Sequence, residues 1–477
     1  MKYEIVIGLE VHLHLATRTK IFCGCPTEFG KEPNTQVCPV CLGFPGSLPV
    51  LNSKVIEHAL KVALALKCRI QDSTKFDRKN YFYPDLPKAY QISQYDLPLS
   101  RQGYIEISAG GIRKRIGIRR VHIEEDAGKL IHRADKSLVD FNRAGVPLLE
   151  IVSEPDINSP EEAHEYLKVL KGILSYLDVS DCDMEKGSLR CDANISLKSA
   201  GSKELGIKTE LKNMNSFKNV KDALAFEAGR QREALSSGEK LVQETRLWEP
   251  RSGKTISMRT KEKAQDYRYF PEPDLPLYVI SQQDIESARK SLPLLPEEKK
   301  KYFMREYGIS EHDAGLLIYS KKEADFAEVC IKAYPGKNKK LIVNWLIGPL
   351  LSEANIRGCA ISDLKILPQD LADLIGFSER EEISNLNAKA VLSKMLSDGG
   401  RPGEIIKADN LLQVSDSAIL KEHADEVIKE NPKSAADYRR GKQNALMFLV
   451  GQLMKKTKGK ANPKAAQEIL KRRMEDA

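Results

Sequence analysis

The stretch Ile5-Val-Ile-Gly-Leu-Glu-Val-His-Leu-His14 sets Ile5, Ile7, Leu9, Val11 and Leu13 in alternation with Val6, Gly8, Glu10, His12 and His14. A period of two predicts a β-strand whose aliphatics share one face and whose Glu10, His12 and His14 share the other. A buried carboxylate without a partner is costly, so that second face must be wet, paired with cations or occupied by a metal ion. Val121-His-Ile-Glu-Glu-Asp-Ala-Gly-Lys129 repeats the mixture on what reads as an adjacent strand. Carboxylate and imidazole together suit magnesium or manganese when phosphate oxygens and waters complete the shell.

Further strand-like segments carry polar faces of the same kind. Asp192, Asn194 and Ser196 alternate with Cys191, Ala193, Ile195 and Leu197, and Lys208, Glu210 and Lys212 alternate with Ile207, Thr209 and Leu211. Asp140, Asn142 and Glu150 add to the set. One such strand is the solvated side of a sheet. Five or six of them describe a concave surface lined by Glu10, His12, Glu124, Glu125, Glu150, Asp192 and Glu210, which repels itself unless divalent cations fill it.

The remaining pattern predicts an α+β chain: a cradle-like, antiparallel-sheet N-terminal domain over 1–293, a helical domain over 294–402 and a small basic helical tail over 403–477. Ser159-Pro-Glu-Glu162 supplies an N-cap, a first-turn proline and a capping-box glutamate ahead of a helix with Ala163, Tyr166, Leu167, Leu170, Ile173, Leu174 and Leu177 on one face. Helices are also expected near 53–66 and 216–236. The texture turns helical around Leu292-Pro-Leu-Leu-Pro296, and Asp398-Gly-Gly-Arg-Pro-Gly403 marks a second break. The start Met1-Lys2-Tyr3 carries no signal or transit pattern, and no apolar run is long enough to span a bilayer, so a cytoplasmic protein without a membrane partner is expected.

The net charge is +8, but Asn431–Arg473 holds twelve Lys or Arg against Asp437 and Glu468, a local excess of +10 that leaves the remainder at −2. A basic module on a near-neutral chain points to a polyanion, with nucleic acid first. Of nine cysteines, Cys23, Cys25, Cys38 and Cys41 lie close together, and Cys38-Pro-Val-Cys41-Leu-Gly43 resembles a zinc-ribbon knuckle. Four thiolates close a tetrahedron, so zinc in this 23–41 insertion is expected to be structural. Ser252-Gly-Lys-Thr255 is no P-loop, because Trp248 stands where its first glycine belongs. A nucleotide must therefore be held by metal and side chains, and Phe76-Asp-Arg-Lys-Asn-Tyr-Phe-Tyr83 offers cations beside aromatic faces from Tyr81, Phe82 and Tyr83.

Eight blocks in order resemble one family, the B subunit of glutamyl-/aspartyl-tRNA amidotransferase. They are Gly8–His12, Phe76–Tyr83, Lys88-Ala-Tyr-Gln-Ile-Ser-Gln94, His122–Gly128, Asn142-Arg-Ala-Gly-Val-Pro147, Leu189-Arg-Cys-Asp192, Glu210-Leu-Lys-Asn213 and Asp266-Tyr-Arg-Tyr-Phe-Pro-Glu-Pro273. The resemblance implies ATP- and magnesium-dependent phosphorylation of the side-chain carboxylate of Glu or Asp misacylated on tRNA, followed by amidation. It implies a heterotrimer with an amidase A subunit, the source of ammonia, and a small C subunit. By the same resemblance Glu10, His12 and Glu125 would be magnesium ligands, with Glu124 and Glu150 serving a second site or supporting the first. Arg78, Tyr81, Asp192 and Glu210 would contact the nucleotide or its metal. Lys79 and Lys88 would hold phosphate or line the end of an ammonia path, where Glu125 takes a proton from ammonium. Lys455, Lys456, Lys458 and Lys460 would contact tRNA. Two competing readings are a zinc-ribbon nucleic-acid-binding protein without catalysis and a carboxylate ligase unrelated to tRNA, which leaves the +10 tail unexplained.

Overall fold

The computed structural model describes residues 3–260, 267–412, 417–457, 461 and 463–475. It divides into two compact units, Met1–Leu295 and Pro296–Ala477.

The first unit is α+β. Its strands are β1 (Tyr3–His14), β2 (Arg69–Ile70), β3 (Ser73–Thr74), β4 (Asp77–Asn80), β5 (Tyr90–Ser93), β6 (Ser100–Ala109), β7 (Ile112–Glu125), β8 (Lys129–His132), β9 (Ser137–Asp140), β10 (Pro147–Ser153), β11 (Leu189–Ser199), β12 (Thr209–Lys212), β13 (Glu244–Glu249), β14 (Lys254–Thr260), β15 (Phe270–Pro271) and β16 (Tyr278–Val279). Nine of them form one sheet in the order β14-β13-β12-β11-β1-β10-β7-β6-β2, so the first strand of the chain lies at its centre. Neighbours are antiparallel except β12 and β13, which pair in parallel. A parallel pair needs a long crossover, and the helix α3 (Phe217–Ser236) lies in that connection.

The alternation of β1 is realised as expected. Ile7, Leu9, Val11 and Leu13 are fully buried and join one core with Val55 and Leu60 of α1 (Ser53–Ala65), Tyr166 and Leu170 of α2 (Pro160–Tyr176), and Val220 and Leu224 of α3. Each such apolar side chain contributes about 1.5–3 kcal/mol by leaving water. Asn52 caps α1, and Ser159 Oγ accepts from Glu162 N at 3.1 Å at the start of α2. With the aliphatics turned inward, the other face collects the polar side chains by register. His122, Glu150, His12 and Arg190 form one cross-strand row, and Arg120, Val152, Glu10 and Asp192 the next.

The second unit is helical, from Pro296–Tyr307 to Pro463–Glu475. Among its described residues are two separate hydrophobic clusters, one between Phe303 and Ile406 and one between Leu420 and Met474.

Candidate active site

His12, Glu124 and Glu150 offer an imidazole nitrogen and carboxylate oxygens that all lie within 4.8 Å of one another. His12 Nε2 is 3.6 Å from Glu150 Oε2, and His122 Nε2 lies 3.2 Å from both Glu124 Oε1 and Glu150 Oε2. Glu124 is further fixed by Ser93 Oγ, which donates at 2.6 Å, and by Gln91 Nε2 at 3.1 Å. Burial disfavours its charge, yet nearby Lys79 and His122 hold its pKa at about 2. Glu150 is likewise kept well below the usual range, burial being overcome by His122 and His12. Burial also works against a charged His122, but Glu150 and Glu124 push it up to about 9. Lys79 Nζ sits 5.1 Å from the Tyr267 ring and 5.9 Å from that of Tyr81; burial opposes its charge, and Glu124, Tyr269 and Glu150 sustain it. The donor set of two carboxylates and one imidazole fits a hard divalent cation that keeps part of its shell for water or phosphate.

A second acidic group adjoins the first. Burial, then Glu150, Glu210 and Asp192, raise the pKa of Glu10, which accepts from Asn194 Nδ2 at 3.0 Å. Lys212 contacts Asp192 and lies 3.4 Å from Glu210, whose other oxygen accepts from Thr245 Oγ1 at 2.8 Å. Glu10, Asp192 and Glu210 are thus brought together beside the triad.

Glu125 is not. Adjacent strand residues point to opposite faces, and with Glu124 committed to the triad, Glu125 turns to Lys88, 2.6 Å and 2.7 Å from its two oxygens, and to Ile92 N–H at 2.9 Å. Of the residues expected to serve magnesium, the structure brings His12 together with Glu124 and Glu150 and sets Glu125 against Lys88. Lys88 and Glu125 line a cavity of about 110 Å³ together with Lys20, Cys23 and Cys41. Arg78 is also engaged elsewhere: its guanidinium forks onto Glu272 at 2.7 and 2.8 Å and covers the Tyr90 ring at 4.3 Å. His14 points to Asp126, 2.5 Å away, which Arg190 and Arg143 also reach at 2.9 and 3.2 Å.

The four sulfur atoms of Cys23, Cys25, Cys38 and Cys41 gather within 4.8 Å of one another. The 3.9 Å between Cys38 and Cys41 Sγ matches the ~3.8 Å edge of a tetrahedron built on Zn–S bonds of about 2.3 Å. Cys38 N–H points to Cys41 Sγ at 3.2 Å, and the buried Lys20 ammonium stands 3.6 Å from the same sulfur. The residues present fit zinc. The loop continues to Gly43, whose φ of +70° suits glycine and where a Cβ would lie 2.4 Å from Lys88 Cγ. The thiol cluster and the Lys88–Glu125 pair are packed as neighbours.

Residues 5–286 match the GatB/GatE catalytic domain, and residues 325–474 match the GatB domain. The chain is 55% identical over 472 residues, 99% of each chain, to the B subunit of the aspartyl/glutamyl-tRNA(Asn/Gln) amidotransferase of Caldanaerobacter subterraneus subsp. tengcongensis. The chain belongs to this family. The B subunit from Caldicellulosiruptor bescii is 54% identical over 480 residues, covering 100% of both chains, and that from Brevibacillus brevis 52% over 475 residues, covering 98% of this chain and 99% of the relative. The family relationship thus spans both units and agrees with the resemblance carried by the eight sequence blocks.

Several residues beside the candidate site are not among those expected, though strand periodicity points to one of them. His122 sits two residues before Glu124, so the period-two rule places it on the same face. Ser93 and Gln91 come from β5, and Lys212 is the cation that answers Asp192 and Glu210. Among the tail lysines, Lys455 is exposed, whereas Lys456 already pairs with Glu426 at 2.8 Å and Glu430 at 2.7 Å. Lys458 and Lys460 lie outside the described residues, as does Asp266. No helix among the described residues is long and apolar enough to cross a membrane.

Proposed function

We propose that this chain is the carboxylate-activating subunit of a tRNA-dependent amidotransferase, working in the cytoplasm with an amidase A subunit and a small C subunit. It acts on Glu, Asp or both, misacylated on tRNA. The observation that carries the reading is the convergence of His12, Glu124 and Glu150 within 4.8 Å beside Lys79, in a chain of this family.

An ionised carboxylate is a poor electrophile, and phosphorylation gives it a leaving group. One oxygen of the substrate carboxylate attacks the terminal phosphorus of ATP; the bond from phosphorus to the bridging oxygen breaks and ADP leaves. Ammonia nitrogen then attacks the acyl carbon, the bond to the phosphate oxygen breaks, and phosphate departs as the amide loses a proton. Magnesium, when bound, would neutralise charge on the transferring group and align it. His12, Glu124 and Glu150 would hold that ion, with Glu124 oriented by Ser93 and Gln91. Glu10, Asp192 and Glu210 form a neighbouring acidic group able to take a second. Lys79, kept charged in a buried position, stabilises negative charge that develops beside it. Lys88 and Glu125, on the other face, fit the end of an ammonia path, where Glu125 accepts a proton from ammonium. The four cysteines would hold zinc as a structural brace, and the basic tail would meet the phosphates of tRNA.

The test is to co-express the chain with its A and C subunits and follow ATP-dependent conversion of Glu-tRNA(Gln) to Gln-tRNA(Gln), wild type beside His12→Ala. Amide formation lost in the variant alone supports the reading. Equal inactivity of both on Glu- and Asp-loaded tRNA, with tRNA binding intact, would reduce the protein to a zinc-ribbon RNA binder.

A further inference from the structure

Strand β7 does not cross the sheet regularly. Arg120 lies opposite Val152 of β10, but Ser153 lies opposite Ile118, so Arg119 is an extra residue at that point. The buried set changes there from Ile116 and Ile118 to Val121 and Ile123, and both consecutive arginines leave the core. Its other neighbour, β6, is irregular at the same place: Gln102, between the pairs Arg101–Arg120 and Gly103–Ile118, takes a φ of +59°. A left-handed residue other than glycine is uncommon, and two adjacent strands accept distortion here together. Bulges of this kind re-aim side chains next to functional sites.

The two arginines then differ. Arg119 forks onto Glu154 at 3.1 and 2.9 Å on the exposed side. Arg120 stands one cross-strand row from His122, Glu150 and His12, and its Nε is buried with no hydrogen-bond partner among the described residues. The charge of Arg120 is felt at the phenol of Tyr269, as are those of Lys79, Glu124 and Glu150. A guanidinium stays charged and presents a rigid fork of donors, the shape that phosphate oxygens accept in pairs. A buried donor left without a partner calls for an acceptor, and Arg120 presents this one beside an acidic, metal-competent triad.

We propose that Arg120, turned toward the site by the bulge, binds the terminal phosphate of the nucleoside triphosphate through its Nε–H and Nη–H groups. The proposal rests on the phosphoryl-transfer reading above and adds a phosphate-binding residue to it. Lys79 and Arg120 would then both offer positive charge to the transferring group, from β4 and β7.

The experiment uses the assembled heterotrimer with Arg120→Gln, Arg120→Lys and His12→Ala. Binding of a non-hydrolysable ATP analogue without magnesium is measured by equilibrium dialysis, and phosphate release from ATP in a single turnover with misacylated tRNA. Arg120→Gln should weaken analogue binding at least about tenfold and slow phosphate release about 10²–10³-fold, with tRNA affinity unchanged. Arg120→Lys keeps the charge but not the fork, so it should lie between the two and serves if the glutamine variant fails to assemble. Analogue binding within about twofold of wild type in both Arg120 variants overturns the proposal, as does a loss confined to tRNA affinity. Intact phosphate release in His12→Ala would instead sink the phosphoryl-transfer reading, and the analogue binding of the Arg120 variants would still decide whether this arginine holds phosphate.

Discussion

Replacing Ser93 by Ala deletes a single oxygen, yet it should weaken the proposed metal site, to which serine contributes no ligand. Ser93 is buried and donates its hydroxyl to Glu124 Oε1 at 2.6 Å, while Gln91 holds the other oxygen at 3.1 Å. A hydrogen bond to a charged acceptor is worth about 1.5–3 kcal/mol. Most of that is present with or without metal, so only the part that orients Glu124 enters the binding equilibrium. Loss of an outer partner of a ligand typically costs about 10–100-fold in metal affinity. With Gln91 still in place the lower end applies, about tenfold or ~1.4 kcal/mol. The assay is a manganese titration followed by the electron paramagnetic resonance signal of the free ion, on wild type, Ser93→Ala, Gln91→Leu and the double variant. The two single changes act on one carboxylate, so their effects should not add. Manganese affinity within about twofold of wild type in all three variants would mean that Glu124 does not ligate the ion, and the triad would have to be abandoned.

Other outcomes follow from the same geometry. Cys38→Ser should reduce bound zinc from about one ion per chain to near zero and lower the thermal midpoint, both read on purified protein by metal analysis and melting; zinc-free wild-type protein would remove the brace. Burial, assisted by Lys54, holds the pKa of His58 below 6.5. The unfolded chain therefore binds a proton that the native state refuses, and stability is lost as pH falls below 6.5, by at most ~1.4 kcal/mol per pH unit. His58→Phe should shrink the difference between urea midpoints at about pH 7.5 and 5.5, whereas an unchanged difference would place the acid sensitivity elsewhere. Lys455→Gln should reduce the salt dependence of tRNA binding by about one unit of log–log slope. Lys456→Gln should do less, because that ammonium is already paired with Glu426 and Glu430.

Where local periodicity decides the outcome, the chain is readable. The alternation from Ile5 to His14 becomes β1, and the Asp192–Ser196 alternation becomes β11 with its polar residues opposite Glu10, Gly8 and Val6. Ser159 caps α2 as expected, and α3, which Ser216 caps, falls where a helix is expected near 216–236. Periodicity also says that Glu124 and Glu125 face opposite ways, but not which one faces the site. The parity of β7 changes at Arg119, so counting along the strand from Ile112 gives the wrong face. The parallel pairing of β12 and β13 depends on tertiary closure through α3, and no local pattern encodes it. Arg78 reads as a free cation until the fold brings Glu272, 194 residues away, into bidentate contact. Lys456 is taken by acidic residues of another helix for the same reason.

The central position of β1 also constrains how the protein is made. Tyr3 pairs with Ser199 and Glu10 with Val152, so β1 must wait for partners encoded some 140 to 200 residues later. At bacterial-type elongation rates of about 5–20 residues per second, that wait is roughly 10–40 s. During it, Ile5, Ile7, Leu9, Val11 and Leu13 emerge as an unpaired β-prone segment on the ribosome, exposed to chaperones and to other nascent chains. Slow pairing of such distant segments is the expected kinetic bottleneck. Translation pauses before β11 should therefore lower the yield of folded chain more than equal pauses within the helical unit.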